Sequence, residues 1–233
     1  MLPKLRIISL DLDNTLWDTP PLLARAEAVL QRWLAAHYPR IPQRFPADEL
    51  QRLRAELAQA HRERSHDLSW LRTEALRRAA LASGYGAQTA EAAFEVFLAA
   101  RNDIEPYADV RPALARLAAR WPLYALSNGN ACVQRAGLGQ YFRGAIDAGQ
   151  AGAAKPDARI FVQLLAAAGV AADEVLHVGD DAIADVAGAR DVGMRTVWMN
   201  RAQLAWPAAV ARADHEVRDL GELADLVEQL ARE

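Results

Sequence analysis

The stretch Ile7-Ile8-Ser9-Leu10-Asp11-Leu12-Asp13-Asn14-Thr15-Leu16 decides the fold. Residues 5–10 form a short run of little polarity, the pattern of a strand buried in a sheet. The run ends abruptly in two acids, an asparagine and a threonine. Open α/β sheets bind their ligands beyond the carboxyl ends of the strands. An acid-rich segment directly after a buried strand is therefore a candidate site.

Working outward, residues 20–103 contain no convincing strand. Pro20 and Pro21 suit a helix start, and Leu22, Ala26, Val29, Leu30, Trp33 and Leu34 recur at helical spacing. Pro39 and Pro42 break that helix. A second helix is predicted from near Asp48, a third from near Ser69, and a fourth over 89–101. Four amphipathic helices in succession imply a small antiparallel bundle. After Pro106 the chain alternates. Helices are expected over 112–120, 157–168, from 182 through 190 and 220–230, with strands over 123–126, 144–148, 175–178, 196–199 and 215–217. Such alternation implies a parallel sheet covered on both faces. The expected fold is α/β: a Rossmann-like parallel sheet formed by 1–16 and 105–233, with a helical-bundle cap, 17–104, inserted after the first strand.

Bulk properties narrow the function. The formal net charge is −3 over 233 residues, which offers nothing to a nucleic acid or an anionic membrane. No apolar stretch approaches the ~18 residues of a membrane span. The N-terminal residues resemble neither a signal nor a transit peptide. A single cysteine, Cys132, excludes an intrachain disulfide and suits a reducing compartment. The expectation is a cytoplasmic protein, monomeric or a small homo-oligomer. The only lysines are Lys4 and Lys155, which makes Lys155 conspicuous.

Four polar clusters follow or adjoin strands: Asp11/Asp13/Thr15, Ser127/Asn128, Lys155, and Asp180/Asp181/Asp185. Carboxylates crowded into one crevice repel one another and raise each other's pKa. A divalent cation relieves that conflict, and Mg²⁺ prefers hard oxygen ligands. Mg²⁺ and Lys155 together could neutralise a phosphate and the charge that spreads over its oxygens during transfer. Ser127 Oγ and the Asn128 N–H could hold a further phosphate oxygen, with Thr15 counted among the substrate contacts. A carboxylate nucleophile would then split hydrolysis into two steps, with Asp13 serving as general acid and base if a loop turns it to the same side.

Asp11-Leu12-Asp13-Asn14-Thr15-Leu16, Ser127-Asn128-Gly129-Asn130, Lys155-Pro156 and Gly179-Asp180-Asp181 through Asp185 resemble, in order, the four motifs of the haloacid dehalogenase-like superfamily. The helical block occupies the place of that family's first type of cap. The resemblance implies Asp11 as nucleophile, Asp13 as general acid/base, Ser127 as a phosphate ligand and Lys155 as charge stabiliser. It implies Mg²⁺ held by Asp11, the Asp13 carbonyl and Asp180, with Asp181 or Asp185 completing or orienting the shell. His66-Asp67-Leu68-Ser69, Gly137-Leu138-Gly139-Gln140-Tyr141-Phe142 and Leu176-His177-Val178-Gly179-Asp180-Asp181 are similar to the branch that dephosphorylates flavin mononucleotide or 5-amino-6-(5-phosphoribitylamino)uracil. In that reading His66 and Arg72 contact the substrate, a small phosphorylated metabolite. The alternatives are phosphoglycolate, a sugar phosphate or a nucleotide as substrate, a 2-haloacid dehalogenase, or a non-catalytic binding module.

Several residues invite blander readings. His177 lies in an apolar strand and reads as a satisfied core histidine. Trp33, Trp70 and Trp121 read as packing residues, whereas Trp17 could line a cleft. Cys132 lacks the arginine six residues later that a cysteine phosphatase needs; that position is Leu138.

Overall fold

A computed structural model describes residues 5–232. They divide into two compact units, one running to Asp18 and resuming at Glu105, the other covering Thr19–Ile104. Trp17 and Asp18, assigned to the insert from sequence, belong to the first unit. Among the described residues no helix is long and apolar enough to cross a membrane.

The first unit is built on six parallel strands: β1 (Ile7–Leu10), β2 (Leu123–Ser127), β3 (Phe142–Asp147), β4 (Val175–Gly179), β5 (Arg195–Met199) and β6 (His215–Val217). Their order across the sheet is β3-β2-β1-β4-β5-β6. The chain starts at the centre, builds outward through β2 and β3, then crosses to the other side of β1. The ends of β1, β2 and β4 therefore lie side by side at the switch point, where a crevice forms. Every residue of β1 and β4 is buried, which explains why these strands read as unbroken apolar runs rather than alternating ones.

The crossover helices are placed by local signals. Asp157 caps α8 (Ala158–Ala168) by accepting from the Arg159 N–H, and Gly169 ends it in the left-handed region at φ 65°. Asp219 caps α10 (Leu220–Leu230) through the Glu222 N–H at 2.8 Å, while Glu222 returns a bond to the Arg218 N–H at 2.7 Å. The interior of α8 packs Ile160, Phe161 and Leu164 with Leu126, Val175 and Ala189. α6 (Val110–Ala118), α7 (Ala148–Ala151) and α9 (Gly188–Asp191) complete the helices of this unit.

The second unit is helical: α1 (Thr19–His37), α2 (Arg40–Arg44), α3 (Ala47–Ala60), α4 (Leu68–Ala82) and α5 (Thr89–Arg101). Its main core combines Leu30, Leu34, Leu50, Leu76 and Phe97 with alanines 26, 79, 80, 90 and 93. Such small residues let helices approach closely. α2 is absent from the sequence reading. Pro42 stands in its first turn, where no intrahelical N–H is needed, so the proline that ended α1 in that reading sits comfortably in a new helix.

Candidate active site

β1 ends at Leu10, and Asp11 is the first residue beyond it. Its N–H still donates to Val178 O at 2.8 Å, so the loop departs from a fixed point on β4. Asn14 takes a left-handed φ of 59°, a conformation asparagine tolerates, and the Leu16 N–H closes the turn on Leu12 O at 2.8 Å. The Asp11 carboxylate accepts from Lys155 Nζ at 2.6 Å on one oxygen and from Thr15 Oγ1 at 3.2 Å on the other. Thr15, expected at the substrate, is fully buried and orients Asp11. Trp17, read as a cleft ring, is only 1 % exposed. Its indole N–H donates to Asp13 Oδ1 at 2.9 Å, so it orients the second acid.

Lys155 is buried, and its ammonium donates to Asp11 Oδ1 at 2.6 Å, Leu126 O at 2.7 Å and Asp185 Oδ1 at 2.6 Å. These three acceptors match its three N–H bonds. Asn128 fixes the backbone beneath it: Asn128 Nδ2 donates to Lys155 O at 2.9 Å, and the Lys155 N–H donates to Asn128 Oδ1 at 2.7 Å. The sequence pointed to the Asn128 backbone; its side chain has a second task, clamping the lysine loop. Ser127 Oγ, at the end of β2, accepts from the Gly129 N–H at 3.0 Å.

After β4 the chain enters a single π-type turn, Ala182–Ala187. The Asp181 carbonyl accepts from both the Asp185 N–H at 3.0 Å and the Val186 N–H at 3.2 Å. This widened turn directs Asp185 back toward Gly179. A Cβ at Gly179 would lie 2.2 Å from the Asp185 carboxylate, so only glycine fits there. Asp185 is fully buried and paired with Lys155. Asp181 does something else: Oδ1 accepts from the Ile183 N–H at 2.8 Å and the Ala184 N–H at 2.7 Å. It caps the turn and stays exposed.

Asp11, Asp180 and Asp185 each bring an oxygen within 4.8 Å of the others. The acid pair left open by the sequence thus separates: Asp185 joins this group and Asp181 does not. The electrostatics are those of a site short of positive charge. Burial pushes the Asp11 carboxyl well above its ordinary range against the pull of Lys155, and Asp185 and Asp180 push it further. Burial and then Asp185 raise Asp180 to about 6. For Asp185 burial acts upward too, but Lys155 and His177 outweigh it and hold the group well below the usual carboxylate range. Lys155 stays charged because Asp11 and Asp185 outweigh its burial. Three hard oxygen donors around one ammonium suit a divalent cation such as Mg²⁺.

Arg201 supports the loop from outside. Its Nε donates to Thr15 O at 2.9 Å, and its fork meets Asp109 at 3.1 and 2.7 Å. Nothing local in the sequence marks it. A cavity of about 770 Å³ lies at the opposite end of the sheet, where Ile7, Leu123 and Phe142 begin their strands. Its lining contains arginines 6, 120 and 143 and no acid, so it is not where the motif residues gather.

In the helical unit, Asp67 caps α4 through the Trp70 N–H at 2.8 Å. Arg72 pairs with Glu27 at 2.8 Å, is 12 % exposed, and lies 3.4 Å from the Phe97 ring centre. Its guanidinium is thereby engaged within its own unit. His66 is half-buried in the turn before α4.

Residues 5–193 match the haloacid dehalogenase-like hydrolase family, and the chain belongs to it. It is 33 % identical to the 5-amino-6-(5-phospho-D-ribitylamino)uracil phosphatase YigB of Escherichia coli, over 85 % of this chain and 84 % of that protein. A phosphoserine phosphatase of Thermus thermophilus is 35 % identical over 56 % of this chain and 55 % of its own length. Among solved structures, a 2-haloacid dehalogenase from Pseudomonas syringae superposes with a TM-score of 0.92 at 37 % identity, over 97 % of this chain and all of that one.

Proposed function

We propose that this hydrolase is a Mg²⁺-dependent phosphatase that cleaves a small phosphorylated metabolite through an aspartyl-phosphate on Asp11. The observation that carries the reading is the meeting of Asp11, Asp180 and Asp185 around Lys155. Asp11 with its carboxyl pushed up is a poor nucleophile; a cation held by Asp11, Asp180, Asp185 and the Asp13 carbonyl would restore its anionic form and offset charge on the phosphoryl oxygens. An Asp11 oxygen attacks phosphorus as the ester P–O bond breaks. Asp13 gives its proton to the departing alkoxide. Asp13 then takes a proton from water, whose oxygen attacks phosphorus and releases Asp11 and inorganic phosphate. Lys155 balances charge throughout, held in place by Asn128, while Ser127 and the Asn128 N–H bind a phosphoryl oxygen.

For the substrate we favour flavin mononucleotide or 5-amino-6-(5-phosphoribitylamino)uracil. The similarity to YigB over most of both chains supports this. The helical insert Thr19–Ile104, as a cap, would choose among metabolites. The rival is a 2-haloacid dehalogenase, favoured by the Pseudomonas syringae structure. Halide departs without a proton, so Asp13 and the Asp180 carboxylate would have little to do there.

The test measures phosphate release from an aryl phosphate with Mg²⁺ and with chelator, beside halide release from 2-chloropropionate. Phosphate release that chelator abolishes is expected. Halide release undiminished by chelator, without phosphate release, would overturn the proposal. A kcat/KM panel should rank the two riboflavin-pathway phosphates above phosphoglycolate, sugar phosphates and pyrimidine nucleotides; the reverse ranking would refute the substrate assignment alone.

A further inference from the structure

His177 is buried in β4 and faces Ser9, its register partner on β1. Its Nδ1 lies 3.0 Å from Ser9 Oγ and its Nε2 lies 3.3 Å from Asp185 Oδ1. Phe161 holds the ring edge-on, with centroids 5.4 Å apart and planes at 90°. The ring is buried and Lys155 already meets the charge of Asp185 at 2.6 Å, so a neutral ring with one N–H satisfies the site. Asp185 is ionised and can only accept, which places that hydrogen on Nε2. Nδ1 is then an acceptor, and the Ser9 hydroxyl must be its donor. The direction of both bonds follows from the carboxylate at one end.

The far end of this chain is the candidate site. Asp185 Oδ1 accepts from both His177 and Lys155, and Oδ2 accepts from the Asp181 N–H at 3.0 Å. Three donors from three elements thus fix the carboxylate. Two of them, Lys155 and the Asp181 N–H, sit on loops. His177 alone stands within a strand, in the centre of the sheet. A buried imidazole that only filled space could be replaced by an apolar side chain without the cost of placing polar atoms in the core.

We propose that His177, its ring held by Ser9 and its Nε2–H directed at Asp185, is a positioning residue that sets the Asp185 carboxylate for the cation and for Lys155. The proposal rests on the phosphatase reading for its catalytic consequence, but not for its structural part. Ligand-orienting partners of this kind typically contribute roughly 10- to 100-fold to metal affinity or activity.

The experiment compares His177→Leu, His177→Gln and Ser9→Ala with the wild type. His177→Leu keeps apolar bulk and loses both hydrogen bonds. His177→Gln keeps an amide N–H that can reach the Nε2 position. Mg²⁺ affinity is read by titration calorimetry, turnover by kcat and KM on an aryl phosphate, and the tautomer by imidazole ¹⁵N shifts of the metal-free protein. We expect Nε2 protonated and Nδ1 bare in the wild type. His177→Leu should weaken Mg²⁺ binding and lower kcat, each by roughly 10- to 100-fold, with KM little changed. His177→Gln should recover most of both, and Ser9→Ala should show a smaller loss in the same direction. A protonated Nδ1, unchanged Mg²⁺ affinity in His177→Leu, or equal losses in the Leu and Gln variants would overturn the proposal. If His177→Leu does not fold, the Gln and Ala variants and the tautomer decide it. A wild type that binds Mg²⁺ and shows the expected tautomer but releases no phosphate would refute the phosphatase reading and leave the role of His177 standing.

Discussion

In the sheet unit, Asp11, Lys155, Asp185 and His177 are buried together and bonded to one another. In the helical unit the main core is mostly leucine and alanine, and the half-buried ion pair Arg72–Glu27 joins one helix to another. The sheet unit places charge where it is costly and satisfies nearly all of it, leaving acids in excess. A site of that kind is poised for an external cation. The helical unit uses Arg72 and Glu27 for its own assembly. Chemistry is therefore readable in one unit from side-chain contacts, whereas in the other those contacts speak of stability.

The hardest blow to this contrast falls on Asp11. Asp11→Asn keeps the shape of the side chain and its bonds to Lys155 and Thr15, but an amide does not attack phosphorus. The fold should persist, and kcat should fall by roughly four decades or more, measured as phosphate release by a protein whose circular dichroism is unchanged. Near-normal turnover would mean that the buried cluster is not where the reaction occurs.

A smaller effect sharpens the electrostatic half of the comparison. In metal-free protein Asp180 titrates near 6, above its unfolded value of about 3.9. A raised acid is fully compatible with folding below the unfolded value, and stability falls as pH rises through 6 and the charge appears. Mg²⁺ should reverse that loss only where Asp180 is ionised. The rise in Tm on adding Mg²⁺ should therefore be several degrees at pH 7.5 and clearly smaller at pH 5.5. Equal shifts at both pH values would place the cation elsewhere.

How much of this could be read from the sequence differs by residue, for physical reasons. Buried parallel strands announce themselves as apolar runs, so β1 and β4 and the acids after them were legible. Helix starts with caps, such as Asp67 before α4 and Asp219 before α10, were nearly so. The turn α7, capped by Asp147 and closed by Gly152 at φ 67°, is too short to carry a period. The choice between Asp181 and Asp185 was not legible, because it depends on the π-type turn, and an i→i−5 bond leaves no mark in apolar spacing. Trp17, Asn128 and Arg201 act through contacts on Asp13, the Lys155 backbone and Thr15 O. Only the first is local, an i, i+4 pair hidden among larger signals. His177 was legible as buried and satisfied, but its partner Ser9 lies 168 positions away, and pairing across a parallel sheet is set by topology.

The smallest expected effects come from the helical unit, and they test whether its polar residues recognise anything. Both His66 and Arg72 were candidates for contacting substrate. Arg72 now has two demands on its guanidinium, Glu27 and the Phe97 ring, and it is mostly buried. Burial, with Arg54 nearby, lowers its pKa to about 10, so it remains charged at neutral pH. Arg72→Ala would leave Glu27 without its partner and Phe97 with less cover. A partly buried, charged hydrogen bond of this kind contributes about 1.5–3 kcal/mol. A drop in Tm of a few degrees is expected, with kcat/KM falling by a similar small factor on flavin mononucleotide and on an aryl phosphate. His66, half-buried in the turn before α4, carries no such duty. His66→Ala should leave Tm within about a degree and, if it meets the substrate, lower kcat/KM on flavin mononucleotide several-fold while sparing the aryl phosphate. Were Arg72→Ala instead to discriminate between the two substrates without loss of Tm, its bond to Glu27 would be a resting arrangement that substrate displaces, and the helical unit would hold recognition where its packing suggests only assembly.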